Sequence, residues 1–264
     1  MKEKYHLLIK KLKPFLICSP KTVENFKKID PFFDTGVFYF NPLHKGTKDF
    51  INKIQKLDYL SFGANAMAME KWVLFDCAMI PGFIYGYSIE TKFLSKEDQK
   101  KLGVNQSDNE FFPLSMYIAI PTISGEWFGH NLSSLNSLLG EDLSGLGLFT
   151  KVMAMDKFKI KNLIGATQWK SPALSLHLKF GHLELLSAFT PNHSKEDSLC
   201  YRFSGDDPKS ILCNDEISNS FDESLPNELS SYLYIQNLIE EGDKKIFLSP
   251  QTSLKTIYIK FHMP

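Results

Sequence analysis

Short apolar runs of strand length, alternating with segments of helical periodicity, predict an α/β (α+β) chain. Three observations carry that expectation. Pro113 to Pro121 (PLSMYIAIP) is an apolar run short enough for a central strand, with proline at each end where no ladder hydrogen bond is lost. Ser144-Gly145-Leu146-Gly147 leads into a helical stretch that continues to about residue 157. After it come a strand at Leu163 to Gln168, a helix at 171 to 180 closed by Gly181, and strands at 183 to 189 and 198 to 203.

The earlier elements follow from the same periodicities. Residues 5 to 13 read as a basic amphipathic helix ended by Pro14, and Phe15 to Cys18 as a compact strand. Ser19-Pro20 starts a second helix with Val23, Phe26 and Ile29 on its buried face, and a third covers about 47 to 60. Residues 72 to 79 and 83 to 90 read as a hairpin closed by Pro81-Gly82. The stretch 122 to 143, rich in Gly, Ser, Asn and Leu, reads as a long excursion containing a helix at 132 to 139. Residues 205 to 230 read as an acidic surface linker, followed by a helix at 231 to 239 and a last strand at 254 to 262. The expected division is therefore 1–204 for the main domain, with an insertion at 122–143, and 205–264 for a linker and C-terminal extension.

Bulk composition narrows the classes. With 264 residues, 43% hydrophobic and 23% charged, the chain is globular and can bury a sizeable core. Thirty basic and thirty acidic residues cancel, so no electrostatic footprint for nucleic acid is expected. Cys18, Cys77, Cys200 and Cys213 form no CxxC pair and read as reduced core residues. Lysines break the only N-terminal apolar run, and no stretch reaches bilayer-spanning length, so a cytoplasmic protein without a membrane span is expected.

Three segments together resemble the GCN5-related N-acetyltransferase (GNAT) superfamily over roughly residues 14 to 204. They are the strand ending Ala119-Ile120-Pro121, the turn Ser144-Gly145-Leu146-Gly147-Leu148-Phe149-Thr150-Lys151, and Ile164 to Trp169 with Ser171 to His182. The resemblance implies a mixed, mostly antiparallel central sheet flanked by helices, and acetyl-CoA or another acyl-CoA as donor substrate. It places the pyrophosphate on Ser144, Gly145, Leu146, Gly147, Leu148, Phe149 and Lys151, and the acyl arm along Ile118, Ala119, Ile120 and Thr167. The turn has its own physics, because a Gly-x-Gly segment opening a helix presents backbone N–H groups and the positive end of the helix dipole to an anion. In three respects the sequence departs from the family. Asp142 stands where Gln or Arg is usual, about twenty residues part the expected central strand from the turn, and His177 takes the place of a frequent tyrosine acid.

Amide formation needs a neutral amine, a proton acceptor and donors for the tetrahedral oxyanion. Glu126 and His130, set among aromatics and glycines in the insertion, His177 on the late helix and Glu184 in an apolar strand are the catalytic candidates. Each also has a plain reading, as a loop residue, a packed core histidine or the solvent-facing member of a strand. His177, His182 and His193 match no common zinc spacing, so no metal is expected, and no Gly-x-Ser-x-Gly elbow surrounds Ser144 or Ser171. The Phe-rich segment 32 to 40 reads as core. The expected activity is direct acyl transfer to a small-molecule amine, with no covalent enzyme intermediate. A non-catalytic protein that binds an acyl thioester or other ligand is the alternative, and a longer acyl chain on an acyl carrier protein is a third reading. Residues 205–264 either complete the sheet or form the surface of a homodimer.

Overall fold

A computed structural model of the chain describes residues 2–65, 67–104, 110–136, 139, 143–192, 195–213 and 219–262. They form two compact units, Met1–Ile123 with Gly129–Lys159, and Ser124–Phe128 with Ile160–Pro264. Both are layers of helix on mostly antiparallel sheet.

The first unit runs α1 (Glu3–Lys11), β1 (Lys13–Ile17), α2 (Pro20–Lys27), β2 (Phe38–Phe40), α3 (Lys48–Phe62), α4 (Lys71–Met79) and β3 (Phe83–Glu90). It continues through α5 (Lys96–Leu102), β4 (Phe111–Pro121), β5 (Trp127–Ser134) and α6 (Leu146–Lys157). The strand order is β2-β1-β3-β4-β5, with β1 and β2 parallel and β1–β3 and β3–β4 antiparallel. Strand β3 lies at the centre, with Tyr85 opposite Leu16 on one side and Tyr117 on the other. Helix α2 begins where Ser19 accepts the Thr22 N–H at 3.2 Å, with Pro20 in the first turn, as the sequence predicts. The Phe-rich segment divides its roles: Phe33 is fully buried and stacks on Phe26 at 5.0 Å, whereas Phe32 is exposed.

Two expectations about this unit are corrected. Residues 71–79 form helix α4, so Pro81-Gly82 joins a helix to β3 and no hairpin exists there. Leu74, Cys77 and Ala78 are buried at helical spacing, but Trp72 and Phe75 on the outer face are apolar too, and that conceals the period. Residues 132–134, expected to open a helix, belong to strand β5 (Trp127–Ser134), which Leu135 N–H continues on the Leu114 carbonyl at 2.9 Å; residues 137 and 138 of the expected helix lie outside the described residues. The strand went unread because Asn131 and Ser133 are polar, and Ser133 is nonetheless buried.

The second unit contains β6 (Asn162–Gln168), α7 (Pro172–His177), β7 (Leu183–Ser187), β8 (Ser198–Ser204), β9 (Glu223–Pro226), α8 (Leu229–Glu241), β10 (Lys245–Leu248) and β11 (Thr256–His262). Its order is β6-β8-β7-β10-β11-β9, antiparallel throughout. Residues 205–230, expected as linker, include a 3₁₀ turn at Pro208–Leu212 and β9, and β10 was not anticipated at all. The C-terminal segment therefore extends this sheet. It is locked on by Trp169, which stacks on Tyr232 at 5.0 Å and donates to the Ala188 carbonyl at 2.7 Å. Gln236 of α8 accepts the Ala188 N–H at 2.8 Å. After α7 the chain tightens into a 3₁₀ turn, Leu178–Phe180, and Gly181 follows at φ 104°, ψ −153°, a region that only glycine populates readily.

The four cysteines are free, but only Cys18 and Cys77 are buried; Cys200 is half-buried and Cys213 exposed, so the expectation of four core thiols holds for two. Among the described residues no helix is long and apolar enough to cross a membrane.

Candidate functional site

The Gly-rich turn lies in the first unit, directly before α6. Gly145 is the N-cap of α6 at φ 82°, a left-handed conformation that strains any L side chain. No side chain caps the helix. Ser144 is exposed and Gly145 half-exposed, whereas Leu146, Gly147, Leu148 and Phe149 are buried and fasten the helix to the sheet. Phe149 stacks on Tyr5 of α1 at 5.6 Å, which brings α1 to the turn. A Cβ built on Gly145 would stand 3.4 Å from Lys4 Nζ. An ammonium at the positive end of a helix is repelled by the dipole, and an anion seated between them relieves both charges. Asp142 lies outside the described residues.

The strand that leads to the turn is β5, with residues 135–143 between them. Ile118, Ala119 and Ile120 belong to β4, which has β3 on one side and β5 on the other. Ile118 and Ala119 are fully buried opposite Ile84 and Phe83. Both neighbours of β4 are strands, which limits the backbone groups these residues could offer to an acyl arm. Lys151, expected at the phosphates, points inward from the second turn of α6. It is 2% exposed, its ammonium lies 5.8 Å from the Tyr117 ring centroid, and burial pushes its pKa down to about 7. Beside it Ser115 and Thr150 share a hydrogen bond of 2.6 Å between β4 and α6.

On the other flank of β5 is a residue that sequence reasoning missed. Asp58 of α3 is fully buried and accepts hydrogen bonds from Met69 N–H at 2.5 Å, Asn131 Nδ2 at 2.9 Å and Ser133 Oγ at 3.3 Å. Burial raises its pKa, and these three donors pull it back. A signal existed, since Asp58 follows Ile54 by four positions on the apolar face of α3. His130, adjacent on β5, has its pKa lowered by desolvation, against which the Asp58 charge acts. Its imidazole is therefore neutral at neutral pH and able to take up a proton.

In the second unit Arg202 of β8 gathers two of the predicted catalytic residues. Its Nε donates to Glu126 at 2.6 Å and its Nη1 to Glu184 at 3.1 Å, while Lys245 stands 3.2 Å from Glu184. The hydrogen bond from Arg202 holds the Glu126 carboxyl below its ordinary range. Both carboxylates are ion-paired through Arg202, an arrangement suited to holding structure. Arg202→Met is expected to cost about 1 kcal/mol in urea unfolding at pH 7. Because the Glu126 pKa is lowered on folding, that contribution is present above the ordinary carboxylate pKa and fades as pH falls through the lowered value. Parent and variant should therefore converge in acid; a gap that persists there removes the ion pair as its cause.

His177 ends α7, is 9% exposed, and its ring centroid lies 5.2 Å from that of Tyr201. Tyr201 lies flat against β6, where a Cβ on Gly165 would fall 2.4 Å from its hydroxyl oxygen. Thr167 of β6 is half-buried opposite Leu199. His182 bonds the Ser220 carbonyl at 2.8 Å, and His193 is outside the described residues. Among the described residues no group of three His, Cys, Asp or Glu side chains could hold a metal ion.

No protein-family model matches the chain, and no curated protein matches it. The solved structures it is similar to are mostly acetyltransferases of the GNAT superfamily, at low sequence identity. An aminoglycoside 6'-acetyltransferase of type Ii is 9% identical at TM-score 0.39, covering 61% of this chain and 94% of its own. An N-acyl amino acid synthase from uncultured soil microbes is 10% identical at TM-score 0.39, covering 64% and 90%. A Bacillus subtilis acetyltransferase in complex with CoA is 14% identical at TM-score 0.36, covering 58% and 92%.

Proposed function

We propose that this chain is an acyl-CoA-dependent N-acyltransferase that passes an acetyl or longer acyl group to a small-molecule amine by direct attack on the thioester. The observation that supports it most is the turn before α6. Gly145 is left-handed, the helix start carries no capping side chain, and the Lys4 ammonium stands beside it. In this reading the diphosphate of the donor sits on Ser144, Gly145 and the first-turn amides, with Lys4 as its counter-charge. The buried side chains of Leu146, Leu148 and Phe149 hold the turn rigid, and the phosphate contacts are made by backbone.

His130 is proposed to accept the proton of the attacking amine, since its imidazole is held neutral. In the second unit Arg202 holds Glu126 and Glu184, and these two carboxylates are assigned a structural role. Four free thiols suit a reducing compartment, and we place the protein in the cytoplasm.

Titration calorimetry with CoA and acetyl-CoA, followed by thiol release across a panel of amines, tests the proposal. Binding and release with at least one amine are expected. Gly145→Val, which forces a β-branched side chain to φ 82° and toward Tyr5, should weaken CoA at least ~30-fold, about 2 kcal/mol. Binding without release under every amine would instead establish a ligand-binding protein without turnover. An unaltered CoA affinity in Gly145→Val would remove the turn from the site.

A further inference from the structure

A cavity of about 330 Å³ opens in the first unit toward the C-terminal end of α6, lined there by Met153, Asp156, Lys157 and Lys159. Its first lining residue on α6, Met153, follows Gly145 by eight residues, roughly 12 Å at the rise of an α-helix. Its volume falls within the range of small-molecule sites.

The wall chemistry is mixed in a particular way. Leu12, Val37 and Met153 supply apolar surface. Tyr85 and Tyr87, each 3% exposed, bring their hydroxyls to 3.2 Å of one another on β3. Burial raises the pKa of Tyr85 to about 12, so this hydroxyl is a neutral donor and acceptor. Around them stand two carboxylates, Asp30 and Asp156, and two ammonium groups, Lys157 and Lys159. Lys159 stands 3.7 Å from Asp156 and Lys157 lies 5.0 Å over the Phe33 ring, so the wall carries paired charges of both signs, which disfavours a ligand of a single sign and favours one that carries both.

The backbone adds an independent observation. Lys159 has φ 53°, and among the described residues it is the one side-chain-bearing position with positive φ. It follows the C-cap of α6, where glycine relieves the strain and lysine does not. A strained residue on the wall of a cavity points to a use for its side chain.

We infer that this cavity binds a free α-amino acid with an aliphatic or aromatic side chain. The ligand carboxylate would lie between Lys157 and Lys159, its ammonium toward Asp30 and Asp156, and its side chain against Leu12, Val37 and Met153. The site stands apart from the turn at Gly145 and does not depend on acyl transfer.

Calorimetry on the full chain with L-leucine and L-phenylalanine is the direct test. 3-Phenylpropionate, which lacks the ammonium, and phenethylamine, which lacks the carboxylate, serve as single-charge controls. At least one amino acid should bind at millimolar or lower concentration, and each control at least ~10-fold more weakly. Lys159→Gly relieves the backbone, so its melting temperature should equal or exceed the parent's while its affinity falls at least ~10-fold. An unchanged affinity in that variant, controls that bind as well as the amino acids, or no heat with any amino acid would each overturn the inference. CoA binding, measured in parallel, should be unaffected by Lys159→Gly.

Discussion

Gly86→Ala is expected to destabilise the first unit by about 3 kcal/mol. Gly86 lies in the middle of β3, opposite Phe15 of β1 and Met116 of β4. A Cβ there would stand 2.0 Å from the Ser115 carbonyl oxygen and 2.5 Å from the Phe15 ring. The ring cannot withdraw, since Phe15 is fully buried and meets Phe50 edge-on at 5.0 Å. The carbonyl belongs to the neighbouring strand. Strands β3 and β4 would therefore have to part at the centre of the sheet. Alanine restricts the unfolded chain and returns only about 0.5 kcal/mol. Urea unfolding should show a lower midpoint with unchanged slope, and thermal melting a fall of about 10 °C. A loss under about 0.5 kcal/mol would mean that the ladder has slack at this position.

The second large effect comes from Lys151, whose amine is pushed down to about 7 by complete burial. Below pH 7 it is charged in both folded and unfolded chains, and the burial penalty opposes folding in full. Between about 7 and the ordinary lysine value of 10.5 the folded chain has released the proton while the unfolded chain still holds it, so stability rises with pH. Above that range both forms are neutral and the penalty is gone. A displacement of this size corresponds to roughly 5 kcal/mol. Lys151→Met, apolar and of similar length, should stabilise the protein by several kcal/mol at pH 6 and abolish the rise between pH 7 and 10. Urea midpoints at pH 6, 8 and 9.5 decide it: equal midpoints at pH 6 would show that the ammonium is solvated or compensated.

Much of the fold was legible where one periodicity dominates. Helix α6, strand β6, strand β8 and the Gly181 turn stand where period and glycine placement put them. Helix α4 was misread because Trp72 and Phe75 make its outer face as apolar as its inner one. Strand β5 was misread for the opposite reason, since half-buried Asn131 and buried Ser133 are polar partners of Asp58, more than seventy residues earlier. No local pattern announces a contact at that separation. The Arg202 pairs with Glu126 and Glu184 are likewise products of strand pairing, so both glutamates could be singled out as unusual while their partner could not. The Gly-rich turn was legible because the left-handed backbone at Gly145 is a local demand written in one residue.

The edge strand β2 of the first unit has three residues and the edge strand β9 of the second has four, the latter ending at Pro226. Such margins offer few unsatisfied amides to a neighbouring molecule, and a proline offers none. Crowding of this protein at high concentration should therefore produce no fibrils templated from these two borders, despite a chain rich in phenylalanine.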